Sequence, residues 1–220
     1  REQRRANVFE RRPNGTWLES AILQAPGEDV FRFGYSVDLQ AGRALVGSSS
    51  VKSSHQGPDR ACVFDRQPDG SWSHVISFIE PDGLGYFAGD VALSGDRVMI
   101  GSSSQVTTFQ QLADGSWVEA PALLPEPGLS GSFGYQLAAH GDRLAVLGSV
   151  PDTPWVGSYT WSQGSWRLDQ GLEPGDAPSG ASDPSHQSGP SVTDMAMTAT
   201  RLVLSHGGAV SGHGLLRVHT

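Results

Sequence analysis

Four short turns, each followed by a tryptophan, recur along the chain and constrain its architecture more than any other feature. Three read Pro13-Asn14-Gly15-Thr16-Trp17, Pro68-Asp69-Gly70-Ser71-Trp72 and Ala113-Asp114-Gly115-Ser116-Trp117. Gln163-Gly164-Ser165-Trp166 is a shortened fourth. A repeat spaced by about 45 to 55 residues signals a propeller or solenoid, in which each unit buries its faces on its neighbours.

Two more markers keep step with the first. Phe33-Gly34-Tyr35-Ser36-Val37, Phe87-Ala88-Gly89-Asp90-Val91 and Phe133-Gly134-Tyr135-Gln136-Leu137 follow the turns in order. Ten positions after each Phe stands an arginine: Arg43, Arg97 or Arg143, after Ala41-Gly42, Ser94-Gly95-Asp96 or His140-Gly141-Asp142. An apolar run ending in Gly47, Gly101 or Gly148 comes next. The fourth copy keeps Arg201 and Leu202-Val203-Leu204, with Ser191-Val192 in the place of Phe-Gly.

These markers predict a four-stranded antiparallel unit. Asn-Gly and Asp-Gly supply the positive φ angles of a type I′ turn, which joins two strands tightly. The Gly-Asp-Arg groups form a second hairpin. Strand a begins at Phe-Gly, strand b follows the arginine, strand c lies at Ala61-Cys62-Val63-Phe64 and its equivalents, and strand d starts at the tryptophan. Strand b is nearly all apolar, as a strand covered on both faces should be, and strand c alternates more. Trp17, Trp72, Trp117 and Trp166 read as packing between units, each burial contributing about 1.5–3 kcal/mol. The functional alternative is a set of sugar-stacking platforms.

Composition agrees with an all-β class, since 28 Gly and 14 Pro with only 17% charged residues suit short strands and turns. The whole chain, 1–220, reads as one array. Its units run over about 1–25 (strands c and d), 33–80, 87–125, 133–170 and 191–220 (strands a, b and c).

Formal net charge is −8 and Lys52 is the one lysine, so no basic stripe offers itself to phosphates. Nucleic acid is excluded as a partner. No apolar run reaches the roughly 18 residues that cross a bilayer as a helix. The chain opens on Arg1-Glu2-Gln3-Arg4-Arg5 with neither an initiator Met nor a signal-peptide core, and reads as soluble with its signal peptide removed.

In their order and chemistry these residues resemble the FG-GAP repeat of the integrin α-chain head, and most of all its bacterial type. The likeness runs from Val8 to Val218 on the markers Phe33, Gly34, Phe87, Phe133, Gly134, Arg43, Arg97, Arg143, Arg201 and the four tryptophans. It implies a seven-bladed β-propeller, secreted or at the cell surface, used in adhesion or ligand recognition. Strands c and d, three full units, and strands a, b and c make seventeen strands, so the chain is expected to form an incomplete arc of about four blades. Either it is a fragment or its open ends pair with other chains, since unpaired edges are sticky. Many relatives carry an Asp-x-Asp-x-Asp-Gly calcium loop; here Asp82, Asp90 and Asp96 stand singly, so neither calcium nor another cofactor is expected.

Cys62 is the single cysteine, which excludes an intramolecular disulfide, and its apolar strand suits an inert buried thiol. The serines after Gly47 and Gly101 come without a Gly-x-Ser-x-Gly elbow and read as strand exits. His186, His206, His213 and His219 could meet over a metal if their strands brought them together, or face solvent. Asn14-Gly15-Thr16 fits a glycosylation acceptor, but the hairpin accounts for it fully. Recognition is expected on loops that break the repeat: 49–59 with Lys52 and His55, 151–155 with Trp155, and 173–190. Trp155, Tyr159, Lys52 and His55 are the candidate contact residues, with packing over the blade edge as the other reading of Trp155. The expected function is a non-catalytic extracellular recognition or adhesion module for a protein or glycan. A structural subunit of a surface assembly or filament completed by other chains, and a glycan-specific lectin, are the alternatives.

Overall fold

The computed structural model describes residues 5–27, 32–49, 58–81, 85–127, 133–150, 153–172, 191–207 and 215–219. Among them are seventeen strands and no helix. Half-blade I pairs β1 (Arg5–Arg11) with β2 (Trp17–Gln24). Blade II holds β3 (Phe33–Gln40), β4 (Arg43–Ser48), β5 (Arg60–Arg66) and β6 (Trp72–Ile79). Blade III holds β7 (Val91–Ser94), β8 (Arg97–Gly101), β9 (Val106–Gln111) and β10 (Trp117–Glu119). Blade IV holds β11 (Leu137–His140), β12 (Arg143–Val150), β13 (Thr153–Ser162) and β14 (Ser165–Leu172). Blade V holds β15 (Ser191–Met197), β16 (Leu202–Gly207) and β17 (Leu215–His219).

Every sheet pairs chain neighbours antiparallel, in the order a-b-c-d wherever four strands are present. Strands β3, β7, β11 and β15 are the inner strands and pack in succession. The protein is an arc of a β-propeller built from four-stranded antiparallel blades.

The blades are held by apolar clusters between them, with strand b feeding both sides. On β4, Ala44 and Val46 join Leu23 and Phe64 toward half-blade I, while Leu45 joins Val98 and Ile100 toward blade III. On β8, Met99 points the other way and joins Leu144 and Val146. On β12, Ala145 joins Leu204 of blade V. Alternation along an all-apolar strand therefore sends successive side chains into two different cores. Phe33, Phe87 and Phe133 are buried in these clusters.

The strand ending in Gly has a steric cause. A Cβ on Gly47 would sit 2.5 Å from the carbonyl oxygen of Ala88, and one on Gly101 would collide with the carbonyl of Gly134. Strand b of one blade thus presses against the Phe-Gly backbone of the next, and Gly34 and Gly134 adopt positive φ there.

The tryptophan turns differ from the type I′ geometry expected of them. Gly15, Gly70 and Gly115 have positive φ, but Asn14, Asp69 and Asp114 do not. Gly15 N–H donates to the Arg12 carbonyl and Arg12 N–H to the Thr16 carbonyl, the pattern of a type I turn followed by a glycine bulge. The side chain decides it. Asp69 Oδ1 accepts from Ser71 N at 2.9 Å and Ser71 Oγ at 2.6 Å, which holds the acid in a right-handed turn. Asp114 and Asn14 repeat this bond. The mirror-image turn occurs instead at Ala41-Gly42 and Gln163-Gly164, where both φ values are positive.

Candidate functional site

A single inner-strand position links four blades. Val37, Val91, Leu137 and Met195 pair with Val46, Ile100, Val146 and Leu204, each the third residue after the repeat arginine. The residues just before them are therefore equivalent: Ser36, Asp90, Gln136 and Asp194. All four line one open pocket of about 510 Å³, together with Tyr35, Tyr86, Gly89, Tyr135 and Leu147. The site stands where the inner strands converge, and each blade from II to V contributes to it.

Asp90 is its most perturbed group. Its Oδ1 accepts from Val91 N at 2.9 Å and its Oδ2 from Leu137 N at 2.7 Å, so the carboxyl is fixed between blades III and IV. Burial raises its pKa to about 6; the two backbone donors pull the other way, and the Asp194 and Asp38 carboxylates add to the rise. Asp38 makes the related contact one blade earlier, accepting from Leu93 N at 2.7 Å.

Aromatic rings form the rest of the wall. The Tyr86 and Tyr135 rings are 5.3 Å apart, tilted by 49°. Burial, then Tyr86, raises the Tyr135 phenol above its usual range. Tyr86 itself has φ 56°, a left-handed conformation uncommon for a bulky residue and a mark of local strain. Among the described lining residues there is no lysine or arginine. Arg32 stands outside them, 6.0 Å from the Tyr35 ring. The set can accept and donate hydrogen bonds, stack against a ring and exchange a proton near neutral pH.

The residues nominated from the sequence fall elsewhere. Trp155 lies on β13 rather than on a loop and is only 8% exposed, its indole seated over Gly157 and Gly171. Tyr159 is buried in the same cluster, with burial raising its pKa. Contact through these two is corrected to packing, because β13 is covered by blade III. Lys52 and His55 lie outside the described residues, as do His186, His213 and the side chains of His206 and His219. Among the described residues no grouping of three or more His, Cys, Asp or Glu could hold a metal. Cys62 is fully buried, its thiol pKa raised by burial.

The tryptophans divide. Trp166 is buried, Trp72 and Trp117 are half-buried against interblade clusters, and Trp17 is 65% exposed. No described blade precedes half-blade I, the side on which the other repeat tryptophans pack.

No family model matches the chain, and no curated protein matches it. Solved structures do resemble it. A protein from Lactobacillus plantarum aligns with 98% of this chain at a TM-score of 0.54 and 18% identity; the chain spans 64% of that protein's length. A protein from Bacteroides uniformis, provisionally named a 6-phosphogluconolactonase, aligns with 99% of the chain and 67% of its own, with TM-score 0.53 and 14% identity. At such identity the likeness establishes the propeller fold and not the FG-GAP type. It also overturns the expectation of a non-catalytic recognition, adhesion or assembly module, because this fold carries an enzyme name in a neighbour. A missing nucleophile elbow does not exclude catalysis by acid–base groups.

Proposed function

We propose that the axial pocket hydrolyses an uncharged sugar lactone, with Asp90 as the general base. The observation that carries this reading is the Asp90 carboxyl, held by two backbone donors with its pKa raised to about 6, opening on a pocket walled by three tyrosines. A base with that pKa is half-ionised near pH 6 and still strong enough to take a proton from water. Asp90 removes a proton from water as the oxygen attacks the lactone carbonyl. The ring C–O bond then breaks, and the proton passes from Asp90 to the departing ring oxygen, leaving a hydroxy acid. Tyr35, Tyr86 and Tyr135 offer ring faces for the sugar and O–H donors for its oxygens.

Charge sets the substrate class. With Asp90 and Asp194 in the wall and no cation among the described lining residues, a phosphorylated lactone is repelled. The neutral lactone is preferred, unlike the substrate in the neighbour's name. In the same reading the repeats are of the bacterial FG-GAP type, supported by Phe-Gly, Gly-Asp-Arg and Asp-Gly-Ser-Trp in fixed order, and the setting is extracellular.

The test is hydrolysis of glucono-δ-lactone beside its 6-phosphate, followed by pH-stat against the spontaneous rate. Faster turnover of the neutral compound is expected. Equal acceleration of both, or of the phosphate alone, would contradict the charge argument, and acceleration of neither would remove the reading.

A further inference from the structure

In two blades the pocket tyrosine stands two residues after the repeat Phe, as Tyr35 after Phe33 and Tyr135 after Phe133. Blade III has Gly89 at that place, and its pocket tyrosine comes from the other side of the Phe, as Tyr86. Gly85, Tyr86 and Ala88 all have φ 56°, and Ala88 stands where blades II and IV have Gly34 and Gly134. Two left-handed residues that are not glycine, one position apart, are costly and persist only where their surroundings hold them. They are held. Gly85 N–H donates to Glu80 Oε1 at 2.8 Å, and the Gly85 carbonyl accepts from Ser103 N. The Tyr86 carbonyl accepts from Gly89 N, Ala88 N–H donates to the Gly101 carbonyl, and the Ala88 carbonyl accepts from Ser36 Oγ.

The phenol placed this way is primed to donate. Its ring lies 5.3 Å from that of Tyr135. Burial, the charge Tyr86 would carry and a hydrogen bond with Tyr86 all raise the Tyr135 phenol, and the last has the sign of a donor, which the bond stabilises with its proton on. Tyr135 O–H therefore donates to the Tyr86 oxygen, which leaves the Tyr86 proton for a partner in the pocket and strengthens the bond it gives. The Ser36 hydroxyl is already committed to the Ala88 carbonyl, and Tyr35 is half exposed. We propose that Tyr86 is the oxyanion donor of this pocket, its O–H bonded to the lactone carbonyl oxygen while Asp90 takes the proton from water. The role rests on the lactonase reading above. As the water oxygen adds to the carbonyl carbon, the C=O π pair moves onto the carbonyl oxygen, and Tyr86 stabilises that charge without giving up its proton. The pair returns as the ring C–O bond breaks. A donor fixed in advance by the backbone bonds of 85–89 meets this charge without rearranging.

Steady-state hydrolysis of glucono-δ-lactone by the full chain tests this role. Tyr86→Phe keeps the ring and is expected to lose about a hundredfold in kcat, with KM within about threefold. The inflection near pH 6 stays, since Asp90 is intact. Tyr135→Phe, in which Tyr86 keeps its proton, loses no more than about threefold. A second readout needs no turnover: the carbonyl-labelled δ-lactam of gluconic acid offers the same oxygen without being hydrolysed. Its C=O infrared band is expected to shift down on binding to the wild type and not on binding to Tyr86→Phe. Wild-type hydrolysis with an unchanged kcat in Tyr86→Phe overturns the role and leaves Asp90 as the base. So does a lactam band that is unshifted in the wild type or equally shifted in both. Absence of wild-type hydrolysis removes the lactonase reading, and this role with it.

Discussion

The guanidinium carbon of Arg43 lies 5.3 Å from the centroid of the Trp117 ring in the following blade. Arg97 repeats this with Trp161 and Trp166 of blade IV, at 5.2 and 5.9 Å. The arginine and tryptophan that recur in the sequence are thus two halves of one interblade contact. It joins strand b of a blade to strand d of the next, and in blade IV to Trp161 of strand c as well. Arg143 has no described strand d ahead of it and is half exposed, and among the described residues it pairs with Asp169 at 3.3 Å.

Substitution should follow that distinction. Arg97→Ala removes two ring contacts and a 2.7 Å bond to Asp142 from a nearly buried side chain, and is expected to cost about 2 kcal/mol. Arg143→Ala is expected to cost under about 0.5 kcal/mol. Urea denaturation of the two variants checks the contrast, and equal losses would count against the Arg–Trp contact as the join.

Gly101→Ala should be among the most damaging single changes. The added methyl meets the backbone of Gly134, which cannot yield without moving blade IV from blade III. A loss of about 3 kcal/mol or failure to fold is expected. Gly95→Ala, in a turn with nothing within 4 Å, carries only the strain of a positive φ, about 1 kcal/mol.

The pH dependence of stability carries the signature of Asp90. Its pKa is higher folded, about 6, than the ordinary 3.8, so between these values the folded chain binds more protons than the unfolded one. The sign is therefore a loss of stability as pH rises from about 4 to 6, and a plateau above. For a partly exposed carboxyl the loss is on the order of 1–2 kcal/mol. Denaturation midpoints across this range should show that slope in the wild type and lose it in Asp90→Asn.

Much of the fold is legible in the sequence because its markers have local or nearest-neighbour causes. Gly70 and Asp69 make a turn, Phe87 fills an interblade core, and Val98-Met99-Ile100 is apolar because blades stand on both sides. The turn type was not legible, since the Asp69 side chain rather than the dipeptide decides it. The pocket was less legible still. Ser36, Asp90, Gln136 and Asp194 differ chemically, and Asp90 viewed singly looks like an isolated hairpin acid. The available signal was their common place, three residues after the Phe or its substitute Ser191, and polar in every copy. Trp155 misled for the converse reason, an off-register aromatic whose partners Gly157 and Gly171 become visible only when β13 meets β14.

If the tyrosines hold the substrate, Tyr135→Ala should raise KM for glucono-δ-lactone about tenfold or more while kcat changes less, because ring stacking serves ground and transition states alike. Initial rates over a range of lactone concentration would separate the two constants. A fall in kcat alone would place Tyr135 in the chemistry instead.

Asp90 as the base of a lactone-hydrolysing pocket is tested by the pH–rate profile of the wild type beside Asp90→Asn. A wild-type kcat/KM that rises with pH through an inflection near 6 is expected, with an Asp90→Asn rate at least about a hundredfold lower and the inflection gone. A folded Asp90→Asn variant with wild-type rate and profile would contradict it.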